Sequence, residues 1–105
     1  MYSFLGDFQV RASFRYELPH PLENAERLEL EYVGGDGELL ARAVFYGEGS
    51  EAEGGGIGRI EHEVRLPKGH HRVEIQLHQR GEVLRKTHPF KMPFEGIEVV
   101  RLGRR

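Results

Sequence analysis

The chain has 105 residues, no cysteine, and a formal net charge of −2 from 15 basic and 17 acidic side chains. A length of this order makes a single domain, residues 1–105, whose core hides about 60–70% of the unfolded surface. The absence of cysteine excludes a disulfide framework, a thiol nucleophile and any cysteine-based zinc or iron–sulfur site. The charge balance argues against a protein held mainly by phosphate backbones, which needs a basic stripe.

No apolar run approaches the roughly 20 residues of a membrane-spanning helix. The start, MYSFLGDFQVRASF, lacks a basic region, lacks a long apolar stretch and meets Asp7 early, so a cytoplasmic protein is expected, with neither membrane nor nucleic acid as partner. The basic tail RLGRR reads as a solvated end. Arginine outnumbers lysine twelve to three while Glu is abundant and Asn and Gln are scarce, a bias that suggests a thermophilic source. A melting temperature well below about 65 °C would count against such a source.

From Phe8 to Leu18, Phe8, Val10, Ala12, Phe14, Tyr16 and Leu18 alternate with polar residues, and this period of two predicts a half-buried strand. Pro19 and Pro21 stop it. A helix over 22–31 is conceivable, with Asn24 as its cap, but Leu30 falls off the helical face while Leu28, Leu30 and Tyr32 share a strand face, so a strand over about 27–33 is expected. The GGDG at 34–37 predicts a hairpin turn into an antiparallel partner, ELLARAVFY, over 38–46.

Residues 47–58 hold six glycines and three glutamates and read as a loop between strands. The loop lacks the Lys and Ser/Thr of a P-loop, and Glu48, Glu51 and Glu53 match no EF-hand spacing. Residues 59–66, RIEHEVRL, alternate again, as do 70–79, HHRVEIQLHQ. With Arg80-Gly81 as a two-residue loop, 82–92 returns in a register whose paired numbers sum to 161. Leu77 then faces Leu84, Val73 faces His88 and His71 faces Phe90. Lys86 falls opposite Ile75 on the apolar side, which predicts either a sheet-edge position or a bulge in 85–89. A last short strand is expected over 97–102.

Seven to eight short strands, each with one apolar face, bury those faces most economically as an all-β, two-sheet antiparallel β-sandwich. The stretch LPKGHHRVEIQL, residues 66–77, resembles the segment leading into the penultimate strand of immunoglobulin-like and fibronectin type III-like domains. In that resemblance the Leu-Pro-x-Gly turn crosses between sheets, and His71 stands where a Tyr or Phe often sits. The chain lacks the Cys and Trp of antibody-type domains and the Tyr of a tyrosine corner. The resemblance implies a module for contacts or structure.

Six histidines are the main chemical question. Adjacent His70 and His71 point to opposite faces of a strand, and His70 and His78 share a face but stand about 27 Å apart, too far to share a metal. His62, His71 and His88 all carry core-facing parity, with His71 and His88 diagonal neighbours about 7–8 Å apart. Converging at one rim they would make a zinc or copper site; otherwise each is a half-buried histidine bonded to backbone at the core's edge.

Ser3, Ser13, Ser50 and Thr87 stand in no recognisable nucleophile context, and Glu29, Glu31, Glu61 and Glu63 lie beside arginines as solvated faces. No catalytic residue, no metal and no cofactor is therefore expected. The first expectation is a non-enzymatic module acting through contact with another protein or with itself, as a homo-oligomer through a sheet edge at 82–92 or 97–102. The second is a metal or small-ligand binder using His62, His71 and His88. The last is an enzyme with a site in or under the 47–58 loop.

Overall fold

The structure, a computed structural model, describes residues 9–18, 26–46, 59–79 and 81–102. These residues form seven strands: β1 (Gln9–Glu17), β2 (Arg27–Gly34), β3 (Leu39–Tyr46), β4 (Arg59–Pro67), β5 (Gly69–Gln79), β6 (Glu82–Met92) and β7 (Ile97–Arg101). No helix is present among the described residues, and Arg27 to Glu31 belong to a strand, as period two requires. The expected loop at 47–58, the prolines at 19 and 21, and Arg80 lie outside the described residues.

The strands make two sheets, ordered β4-β1-β7 and β3-β2-β5-β6. Their inner faces meet in one core containing Phe14, Tyr16, Leu28, Leu30, Tyr32, Leu66, Ile75, Leu77, Phe90 and Val100. Apart from Val100, each of these residues lies on the apolar side of its own alternation, so binary patterning decides which face is buried; in β7 it does not, since Ile97 and Val99 are exposed and Glu98 and Val100 face inward. At the centre, Phe14 stacks on Tyr16 with ring centroids 5.9 Å apart, and it meets Tyr32 at 5.2 Å, Phe90 at 5.1 Å and Phe94 at 5.5 Å. One side chain thus ties β1 to β2, to β6 and to the β6–β7 connection, in the offset and edge-on geometries that aromatic quadrupoles favour.

The turns follow from their residues. Gly37, at φ +90°, takes the left-handed conformation that closes the β2–β3 hairpin, while the Asp36 carboxylate accepts a hydrogen bond from the Glu38 amide at 3.1 Å. Gly81, at φ +69°, does the same between β5 and β6. The β5–β6 register runs from Gly69 opposite Met92 to Gln79 opposite Glu82, and it includes Leu77–Leu84, Ile75–Lys86, Val73–His88 and His71–Phe90, the sum of 161 throughout. Lys86 is accommodated by the edge position of β6, where it is exposed, and the ladder runs through 85–89 without a register shift.

The expectation of an antiparallel sandwich requires one correction: β7 runs parallel to β1, pairing Ser13 with Ile97 through Glu17 with Arg101. The physical reason is parity. In both sheets an odd-numbered strand beside an even-numbered one is antiparallel to it, and β1 and β7, two odd-numbered strands set side by side, are parallel.

The outer faces are charged. Arg15 and Glu61, Glu31 and Arg42, and Glu17 and Arg101 are each directly opposite across a ladder and form ion pairs at 3.1, 3.5 and 3.0 Å. Such exposed pairs contribute about 0–1 kcal/mol each and serve chiefly to favour one register. No helix among the described residues is long and apolar enough to cross a membrane.

Candidate functional site

Among the described residues no polar or charged residue is fully buried, and the histidines that face the core, His62, His71 and His88, are half-buried. His62 sits at the inner face of β4, opposite Phe14 of β1. Its Nδ1 lies 2.8 Å from the Tyr32 hydroxyl on β2, which in turn lies 2.7 Å from the Tyr16 hydroxyl on β1. Tyr16 and Tyr32 are fully buried. The chain Tyr16–Tyr32–His62 therefore passes from one sheet to the other and back, two hydrogen bonds in an otherwise apolar interior.

Hydrogen-bond arithmetic assigns the protons. If Tyr16 donates to the Tyr32 oxygen and Tyr32 donates to His62 Nδ1, every hydroxyl hydrogen is used and the imidazole proton is on Nε2. The reverse direction, with Nδ1–H donating to Tyr32, leaves the Tyr16 hydrogen without an acceptor in a buried position, which costs about 1–3 kcal/mol. The first arrangement needs a neutral imidazole. Burial acts in the same sense and pulls the His62 pKa below its usual value. The phenols are pushed well above the ordinary tyrosine range, Tyr16 by burial and then by the neighbouring Tyr32 and Glu98, Tyr32 by burial. Neither phenol ionises near neutral pH, so neither supplies a base or a nucleophile there.

His71, at the start of β5, turns back onto the corner it follows. Its Nε2–H donates to the Pro67 carbonyl at 2.7 Å, and its ring meets Phe90 edge-on with centroids 5.8 Å apart. Because a carbonyl only accepts, this bond places the proton on Nε2 and leaves buried Nδ1 without a hydrogen-bond partner among the described residues. Gly69, at φ +128°, takes a conformation that side-chain-bearing residues rarely adopt, and it brings the chain into β5 beside this ring.

His88, on the inner side of β6, bonds through Nε2 to the Glu98 carboxylate of β7 at 2.7 Å. This joins the edge strand of one sheet to the edge strand of the other. At the opposite open side, the His62 ring meets Phe45 of β3 edge-on at 5.6 Å, again edge strand to edge strand. His62 and His88 are thus set at the two open sides of the pair of sheets, and His71 at a corner.

The core-facing parity of His62, His71 and His88 and the diagonal relation of His71 to His88 are as the alternation predicts. The three are not brought together: each is bonded to a different partner, and among the described residues no group of three His, Asp or Glu is arranged to hold a metal ion. His78 lies on the outer face, 3.6 Å from Glu29, whose carboxyl is held below its usual range by the hydrogen bond from Arg27. His70 is exposed.

The tyrosine relay is the element that reading the sequence missed. Tyr16 and Tyr32 have the parity of core aromatics, and the signal that could have singled them out is the hydroxyl, which must find a partner when buried. Compared with protein-family models, with curated proteins and with solved structures, the chain matches none.

Proposed function

We propose that the chain is a non-catalytic module of immunoglobulin-like topology that acts through protein contacts made by its sheet edges. The observation that carries this reading is the distribution of exposed apolar side chains. Among the described residues the large exposed hydrophobics are Leu39, Tyr46, Val83, Ile97 and Val99, and all five lie on edge strands, β3, β6 and β7. Central strands β1, β2 and β5 present charged and polar outer faces instead. Apolar surface that is confined to unpaired edges suits pairing with another chain.

Two features support the immunoglobulin-like topology. The order β3-β2-β5-β6 has the succession of a C′-C-F-G sheet, with β4 beside β1 as strand E lies beside strand B. The His71 bond to Pro67 is made at the β4–β5 corner, four residues upstream, where a tyrosine corner bonds back to backbone. β7 departs from that pattern, since it occupies the place of strand A while running parallel to β1.

The reading is tested by light scattering together with photo-cross-linking from each of the four edge strands in lysate of the source organism. Association or a cross-linked partner at an edge is expected. A strict monomer that cross-links to nothing from any edge overturns the proposal.

A further inference from the structure

Three of the four sheet edges carry devices against pairing. The outer row of β4 is Arg59, Glu61, Glu63 and Arg65; β6 carries Arg85, Lys86, Pro89 and Lys91; β7 has only 5 residues. Charges, proline and brevity are the ordinary protections of an edge. β3, LLARAVFY, has one charged residue, Arg42, and buries none of its residues fully; Leu39 is 55% and Tyr46 62% exposed. A bulge interrupts its pairing with β2 near Leu40, where Tyr32 faces Ala41 and Val33 faces Leu39, but from Ala41 to Tyr46 the ladder is regular. No strand lies beyond β3 among the described residues.

We propose that β3 pairs antiparallel with β3 of a second copy of this chain, centred on Val44, so that the two four-stranded sheets become one of eight. The proposal rests on the contact reading and names its partner. Twofold pairing of identical strands sets residues of like parity opposite one another, so the axis passes through a residue. The outer row of the regular stretch is Arg42, Val44 and Tyr46, opposite Glu31, Glu29 and Arg27 of β2; the inner row is Ala41, Ala43 and Phe45.

An axis at Arg42 faces like charges, and one at Ala43 sets Tyr46 against the bulged Leu40. An axis at Val44 sets Arg42 opposite Tyr46 on the outer face, guanidinium against ring, and Ala43 opposite Phe45 on the inner face, small against large. Both pairs occur twice by symmetry. The single charge and the exposed aromatic of this strand therefore complement each other only when a second β3 is the partner, which distinguishes a second copy from an arbitrary extended segment.

The cysteine-free sequence makes the test direct. Residues directly opposite in an antiparallel pair have Cα atoms about 4.5–5.5 Å apart, within disulfide reach. The wild-type chain is expected to dimerise in a light-scattering concentration series. Oxidised Val44→Cys is expected to give a covalent dimer, while Val83→Cys on β6 and Val99→Cys on β7 do not. Val44→Lys is expected to be monomeric with unchanged far-ultraviolet circular dichroism and a melting temperature that no longer rises with concentration. A wild type that stays monomeric at every concentration overturns the proposal, as does covalent capture through Val83→Cys or Val99→Cys in place of Val44→Cys. A monomer that cross-links to a different protein from a photo-reactive residue at 44 overturns self-pairing and leaves the contact reading standing; a monomer that cross-links from no edge overturns both.

Discussion

The Tyr32 hydroxyl stands 2.8 Å from His62 Nδ1 and 2.7 Å from the Tyr16 hydroxyl, so one phenol on β2 makes two hydrogen bonds to the facing sheet. Tyr32→Phe keeps the ring and removes the link, leaving a buried donor on Tyr16 and an acceptor on His62 unpaired. A loss of about 1–3 kcal/mol is expected. Tyr16→Phe removes only the terminal donor and is expected to cost about 0.5–1.5 kcal/mol. Urea unfolding of both variants checks the order; Tyr16→Phe proving the more damaging would contradict the proton assignment.

The relay also sets a pH dependence. Burial holds the His62 pKa in the folded state below the unfolded value of about 6.5. The unfolded chain therefore binds more protons in the window between the two values, and stability rises with pH across it. Acidification from neutral pH is expected to lower stability as pH falls through about 6.5, with the loss complete below the folded pKa. His62→Gln is expected to flatten this part of the profile, which melting temperatures measured in a pH series will show. An equal slope in the variant assigns the dependence to other groups.

Phe14 touches aromatic rings on both sheets and is 1% exposed. Phe14→Ala is expected to cost about 3–5 kcal/mol through lost transfer energy and a cavity. That is a large part of the roughly 5–15 kcal/mol that stabilises a domain. Phe14→Leu is expected to retain the fold. Chemical denaturation and the near-ultraviolet aromatic signal report both variants; a loss under about 1 kcal/mol for Phe14→Ala would mean that the rings around it are not packed as described.

His88 and Glu98 bridge β6 and β7, and among the described residues β1 is the one strand that β7 pairs with. Because the pair is partly solvated, His88→Ala is expected to lower global stability by no more than about 1 kcal/mol. Its effect is expected to be local: amides of Val99 to Arg101 exchange faster with solvent, while those of the central strand β5 are unchanged. Hydrogen exchange that is uniform across the variant would show the bridge to be a global determinant instead.

Much of this architecture is legible in the chain because alternation is a direct record of burial. The strand over 27–34 could be told from a helix by Leu28, Leu30 and Tyr32 alone, since those three share a face only at period two. The β5–β6 register followed from taking Arg80-Gly81 as a two-residue loop, which sets Leu77 opposite Leu84. Lys86 on the apolar side called for either an edge position of β6 or a bulge in 85–89, and the strand order supplies the edge. The candidate site was legible only in part. Parity placed His62, His71 and His88 toward the core, but it carried no information about which atom each ring would meet.

The strands, the buried faces of β1, β2, β4, β5 and β6 and the hairpins β2–β3 and β5–β6 can be read along the chain, because these depend on local alternation and on turns a few residues long; β3 and β7 are apolar on the row they expose as well, and their buried faces are set by packing. The packing of the two sheets places β7 parallel beside β1, brings Tyr32 of one sheet to Tyr16 and His62 of the other, and sets His88 against Glu98. Those relations join residues distant in sequence or lying across the sheet interface. A period of two states which way a side chain points; the neighbour it finds there is set by the order of strands in each sheet and by how the two sheets are stacked.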